Sequence, residues 1–101
     1  MPSSRRLRFT PDADSDFESL LQYTVQTWGE HQMHAYADTI YGVLDELAVF
    51  PDIGKQRDDL FPGAMSYPAG EHVVIFSATD QELILYRIIH GRRDIDAAFR
   101  R

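Results

Sequence analysis

The chain has 101 residues, ten Lys and Arg against sixteen Asp and Glu, and no cysteine. That length suits one domain, residues 1–101, with a single modest core. The lack of cysteine excludes a disulfide framework, a thiolate metal site and a Cys nucleophile, and fits a reducing, cytoplasmic compartment. A formal net charge of −6 argues against broad, salt-driven binding to nucleic acid, and no direct sequence-specific nucleic-acid binding is expected.

The charges are not evenly spread. Residues 11 to 59 hold eleven Asp and Glu against Lys55 and Arg57, whereas residues 83 to 101 hold five arginines against Asp94 and Asp96. Such polarity suits either a solvated charge mixture or a partner-binding surface. Ser4-Arg5-Arg6-Leu7-Arg8-Phe9 superficially matches a twin-arginine export signal, but the acidic residues 10–18 come next, where an apolar segment should stand. No export signal is expected, and no apolar run approaches membrane-spanning length.

In chain order, Arg6-Leu7-Arg8-Phe9-Thr10 alternates polar and apolar, which predicts a short strand with Leu7 and Phe9 inward. Thr10 then suits a helix N-cap, Pro11 the first helical position, and Asp12 and Asp14 the first turn, where the dipole favours negative charge. Ala13, Phe17, Leu20, Leu21, Thr24, Val25 and Trp28 form one apolar stripe up to Gly29. A second helix carries Met33, Tyr36, Ala37, Ile40, Leu44, Leu47 and Ala48 on its stripe, with Asp38, Asp45 and Glu46 on or near the opposite side. The short connection at Gly29 predicts an antiparallel helical hairpin.

Phe50-Pro51-Asp52-Ile53-Gly54 stops the second helix, because Pro51 cannot continue it and restrains Phe50. Residues 55–63 read as a polar loop, 64–67 as a short strand, and Pro68-Ala69-Gly70 as a turn. A clearer strand spans 72–78, Thr79-Asp80-Gln81 turns the chain, and Glu82 opens its best strand. In that last strand Leu83, Leu85, Arg87 and Ile89 alternate with Ile84, Tyr86, Ile88 and His90, a pattern of burial on both faces. Arg87 is the exception, and a guanidinium in such a run must reach a sheet end or a carboxylate such as Asp94 or an acidic helix residue. Gly91 ends the strand, and a short helix can follow from Asp94. The expected fold is a small α+β domain ordered β-α-α-β-β-β, its antiparallel-rich sheet packed by the N-terminal hairpin.

This order resembles the RelE/ParE toxin superfamily of bacterial type II toxin–antitoxin systems. The matching phrases are Leu7-Arg8-Phe9-Thr10-Pro11-Asp12-Ala13 with Asp16 after them, Phe50-Pro51-Asp52-Ile53-Gly54-Lys55-Gln56-Arg57, Tyr67-Pro68-Ala69-Gly70, and Arg87-Ile88-Ile89-His90-Gly91-Arg92-Arg93-Asp94. The ending looks more like ParE than RelE. The resemblance implies a compact sheet backed by two helices, and a toxin silenced by a cognate antitoxin in a hetero-oligomer.

RelE-like members are ribosome-dependent mRNA endonucleases that rely on basic and tyrosine side chains, whereas ParE-like members poison DNA gyrase without cleaving anything themselves. Where the family usually has an arginine after Pro62-Gly63-Ala64, this chain has Met65; the third strand opens Glu71-His72 where nucleases often have arginine; and the common Ile-Phe-Tyr is Ile75-Phe76-Ser77. The loss of cations favours the gyrase-poisoning branch, with a ParD-like antitoxin as partner and no cofactor.

On this reading Arg87, His90, Arg92 and Arg93 face the target, while Trp28, Tyr36 and Tyr41 receive the antitoxin. Each has a plainer role: Arg87 in an ion pair, His90 as a hydrogen-bonded strand end, Arg92 and Arg93 as a solvated tail, the aromatics as core or core edge. No catalytic residue is assigned; an endonuclease would have to use Arg57, His72, Arg87 or His90. A binding module with no poison activity is the third class. His31 and His34 stand three apart on a helix, but no Asp or Glu completes a metal site with them.

Overall fold

The computed structural model describes residues 4–91 and Phe99. Strand β1, Arg6–Phe9, leads into helix α1, Pro11–Trp28, and helix α2, Glu30–Val49, which gives way to one 3₁₀ turn at Pro51–Ile53. Strands β2 (Lys55–Gln56), β3 (Met65–Ala69), β4 (His72–Ala78) and β5 (Glu82–His90) complete the order. They make one sheet ordered β1-β5-β4-β3-β2, antiparallel except for the parallel pair β1 and β5. The expected α+β arrangement, a helical hairpin against an antiparallel-rich sheet, is the one adopted.

The helix signals act as the residue types dictate. Thr10 is extended, and its hydroxyl oxygen accepts from the Ala13 N–H at 3.2 Å. The same residue joins helix to sheet: its N–H donates to the Leu85 carbonyl at 3.0 Å and its hydroxyl to the Tyr86 carbonyl at 3.1 Å. Gly29 separates the two helices, and Pro51 comes after the last turn of α2. Their facing stripes meet the sheet in one core, where Ala13, Leu20, Ile40, Leu44, Leu47 and Ala48 pack on Val74, Phe76, Leu83, Leu85 and Ile88. Ile75, Ile84 and Ile89 are also buried but lie outside that cluster. Phe61 stands 4.8 Å from the Tyr86 ring and 5.8 Å from Phe99.

Four expectations are corrected. Strand β2 lies where the composition predicts a loop; two residues, Lys55 and Gln56, are too few to carry a pattern and are held by pairing with Ser66 and Met65. Strand β3 continues through Pro68 and Ala69, leaving the turn to Gly70 and Glu71. Beyond Ser66 it is the sheet edge, the place where a proline's missing N–H is tolerated.

Strict alternation fails in β5. Phe76 pairs with Leu85 but Ile75 with Arg87, so one extra residue enters β5 and a bulge forms. Ile88, rather than Arg87 and Ile89, therefore joins Leu83 and Leu85 in the helix-facing core. Trp28, the last residue of the apolar stripe, is 69% exposed, because the final turns of α1 run out beside the strand ends. The C-terminal helix expected from Asp94 lies outside the described residues, apart from Phe99, which is helical.

Candidate functional site

The bulge in β5 sets up the site. Strand β1 pairs with β5 only from Glu82 to Leu85, then the chain leaves into α1, so the β5 edge beyond Leu85 needs other partners. Thr10 takes the Tyr86 carbonyl, and Asp16, in the second turn of α1, takes the donors of Arg87 and Ile88. One Asp16 oxygen accepts from Arg87 Nε at 2.7 Å and from the Ile88 N–H at 2.9 Å; the other accepts from Arg87 Nη2 at 3.2 Å. Both side chains are more than four-fifths buried. The bond to Asp16 holds the Arg87 guanidinium even more firmly protonated than usual. Arg87 is thus anchored to an acidic helix residue, and Asp94 lies outside the described residues.

Beside Asp16 a groove of about 920 Å³ opens between α1, the start of α2 and the ends of β4 and β5. Tyr23 and Trp28, 66% and 69% exposed, stand on its helical wall. Tyr36, Glu71, His72 and His90 line the sheet side. Tyr36 locks that wall: its hydroxyl oxygen accepts from the Glu71 N–H at 2.9 Å and stands 2.6 Å from His72 Nδ1. Gly70 makes this approach possible. Its φ is +61°, and a Cβ there would sit 2.7 Å from the Tyr36 hydroxyl. His72 and His90 oppose one another in the last rung of β4 and β5, ring centroids 5.2 Å apart, and the Gly91 N–H ties the strand end to the Glu71 carbonyl at 2.9 Å.

Burial raises the Tyr36 phenol above its ordinary value. Burial first, and His90 second, hold His72 below its ordinary 6.5, outweighing the opposite pull of Glu71 and Asp16. A histidine with a lowered folded pKa stabilises the fold fully above about 6.5 and loses that contribution as pH falls through the lower folded value. Denaturant midpoints at pH 7.5 and 5.5 should therefore differ more in the wild type than in His72→Gln; equal differences would remove His72 as the cause. Tyr36→Phe should cost about 1 kcal/mol, chiefly through the part-buried contact to His72 Nδ1, since the exposed Glu71 N–H can turn to water.

The groove brings together Trp28, Tyr36, His72 and His90, with Arg87 behind them on Asp16. Two candidate residues lie elsewhere. Tyr41 packs on Phe9 and Phe17 with centroids at 6.5 and 5.4 Å, and Arg57 makes a bidentate contact to Asp59 at 2.9 and 2.8 Å. Arg92 and Arg93 lie outside the described residues. The positions that depart from the family pattern have local roles: Met65 packs against the core, Ser77 shares a hydrogen bond with the Tyr86 hydroxyl at 3.0 Å, and His72 meets Tyr36. Sequence reading misses Tyr23 and Glu71. Tyr23 carries a signal, as a large aromatic just off the apolar stripe of α1.

A model of the family described as the ParE toxin of type II toxin–antitoxin systems, parDE, matches residues 7–95. Toxin ParE1 of Mycobacterium tuberculosis is 30% identical over 94 residues, covering 92% of this chain and 96% of that one. Toxin ParE3 of Caulobacter vibrioides is 24% identical over 88 residues, covering 87% and 88%. Among solved structures, a chromosomal ParDE system from P. aeruginosa shares the fold at a TM-score of 0.71 and 18% identity, over 86% of this chain and 96% of that one. The RelBE2 toxin–antitoxin complex of M. tuberculosis does so at 0.59 and 20%, over 87% and 99%. Similarity that runs from within β1 to beyond the end of β5, with a relative alike along nearly the whole chain, makes this protein a member of the ParE toxin family of type II toxin–antitoxin systems.

Proposed function

We propose that the chain acts in the cytoplasm as a toxin that binds and poisons DNA gyrase without chemistry of its own, and that a ParD-like antitoxin silences it by covering the helical hairpin and the groove. The observation that carries this reading is the use made of the polar groups at the groove. Arg87, behind the lining, grips Asp16 and His72 meets Tyr36, while Glu71 adds a second carboxylate to the lining. A phosphate-cleaving centre needs cations aimed at the scissile group. The exposed Tyr23 and Trp28 instead offer rigid apolar area of the kind that anchors a protein partner. A ParDE system among the structures of the same fold supports an antitoxin as that partner.

Arg92 and Arg93 come after the groove residues in sequence, and on this proposal they meet the target. Replacing both by Ala should abolish growth arrest while antitoxin binding survives; retained toxicity in the double variant would remove the basic end from the mechanism. Inducing the wild-type chain alone should bring growth arrest with an early DNA-damage response and initially normal translation. The second reading, a ribosome-dependent endonuclease, draws on the facing His72 and His90 and on the likeness to a RelBE2 complex. It requires early loss of translation with cut transcripts and no damage response. Unaffected growth at confirmed expression would leave the inactive binding module.

A further inference from the structure

Along α1 and α2, residues 11–49, the chain carries eight Asp and Glu and no Lys or Arg. Asp16 is engaged by Arg87, and Glu30 lies 3.6 Å from His34, an exposed pair one helical turn apart. The remaining carboxylates of the hairpin make no ion pair among the described residues, and neither does Glu71 on the opposite wall. Among the described residues the carboxylates that line the groove are Asp16 and Glu71, and beside them stand the exposed rings of Tyr23 and Trp28. A concave surface with low-dielectric walls concentrates the field of the charges around it, and exposed Trp and Tyr faces attract cations as well as apolar groups.

We propose that the groove seats a basic amphipathic segment, with apolar side chains laid on Tyr23 and Trp28 and a Lys or Arg directed at Glu71. The inference rests on the toxin–antitoxin reading in taking the antitoxin to supply that segment; it adds the chemistry of the occupant. A segment rich in carboxylates is rejected, since it would meet the hairpin's own negative charge with no cation in either helix to receive it. The aromatic pair fixes where the segment lies, and the two lining carboxylates, Asp16 and Glu71, raise its rate of arrival and its salt sensitivity.

The test uses the full chain and two labelled synthetic peptides of one amphipathic pattern, one built of Leu and Lys and the other of Leu and Glu. Fluorescence anisotropy should show the Leu/Lys peptide binding and the Leu/Glu peptide failing to bind. Raising NaCl from about 50 to about 300 mM should weaken the complex about tenfold, as the screening length shortens. Trp28→Ala should weaken it about tenfold and Glu71→Gln several-fold, whereas the double change Asp45→Asn, Glu46→Gln, far along α2, should leave it unaltered. Both groove variants alter exposed side chains, so their folding is not in question. Binding of both peptides alike, indifference to Trp28→Ala, or an equal loss in the α2 double variant would each overturn the proposal, as would no binding at all. Growth assays bear on the toxin reading alone, so the two can fail separately.

Discussion

Asp16→Ala is expected to lower folding stability by about 3 kcal/mol, the largest loss from any single polar change in the described residues. Three donors converge on that carboxylate, two from Arg87 and one from the Ile88 backbone. Removing it takes the bidentate partner from a guanidinium that is largely shielded from water and leaves the N–H beside the bulge without its acceptor. For a domain of this size the loss is a large share of the total, and it should lower the thermal midpoint by roughly 15 °C. Asp16→Asn, which keeps an acceptor but no charge, should lose less. The double variant Asp16→Leu, Arg87→Met should recover much of the loss, because an apolar pair of similar volume avoids the buried charge. Calorimetric or denaturant melts of wild type, Asp16→Leu, Arg87→Met and the double variant measure the coupling. A single Asp16→Ala variant as stable as wild type would show that the ion pair does not hold α1 to β5.

Gly54→Ala should destabilise the fold by about 1–3 kcal/mol through overpacking. This glycine ends the Phe-Pro-Asp-Ile-Gly phrase, and its φ of −71° is one that any residue can adopt. Space is the constraint: an added Cβ would lie 2.6 Å from Cζ of Phe76, a ring with no exposed surface, and 3.3 Å from the Pro51 carbonyl oxygen. Phe76 sits in the core between the hairpin and the sheet and cannot swing aside as a surface side chain would. The expected result is a lower urea midpoint with the slope unchanged. Combining Gly54→Ala with Phe76→Leu should cost less than the sum of the single changes, since the smaller side chain gives room to the new methyl. Strict additivity would place the strain elsewhere.

Most of the fold is legible in the sequence because its signals are local. The Thr10-Pro11 start, the apolar stripes of both helices, the Gly29 break and the Phe50-Pro51 stop are each written within a turn or two of where they act. The strand at 72–78 is readable for the same reason. The bulge is not, since the extra residue in β5 exists only relative to β4. Its consequence is partly visible: Arg87 in an apolar strand demands an acidic partner, but which one depends on where α1 crosses β5. The groove is the least legible part. Trp28, Tyr36, His72 and His90 are scattered along the chain, and the exposure of Trp28 comes from how far α1 extends beyond the strand ends, which no periodicity records. Tyr41, with the same residue type as Tyr36, goes to the other side of the hairpin against Phe9 and Phe17.

The parallel pairing of β1 with β5 also governs when the molecule can exist. Among the described strands the first is hydrogen-bonded to the last, with Arg6 opposite Glu82 and Phe9 opposite Leu85. A nascent chain can form its helical hairpin early, but Leu7 and Phe9 have no ladder to join until β5 has left the ribosome. Closing so long a loop is slow compared with helix formation. The groove shares this timing, since α1 supplies one wall and the ends of β4 and β5 the other. Chains that stop short of β5 therefore present no groove.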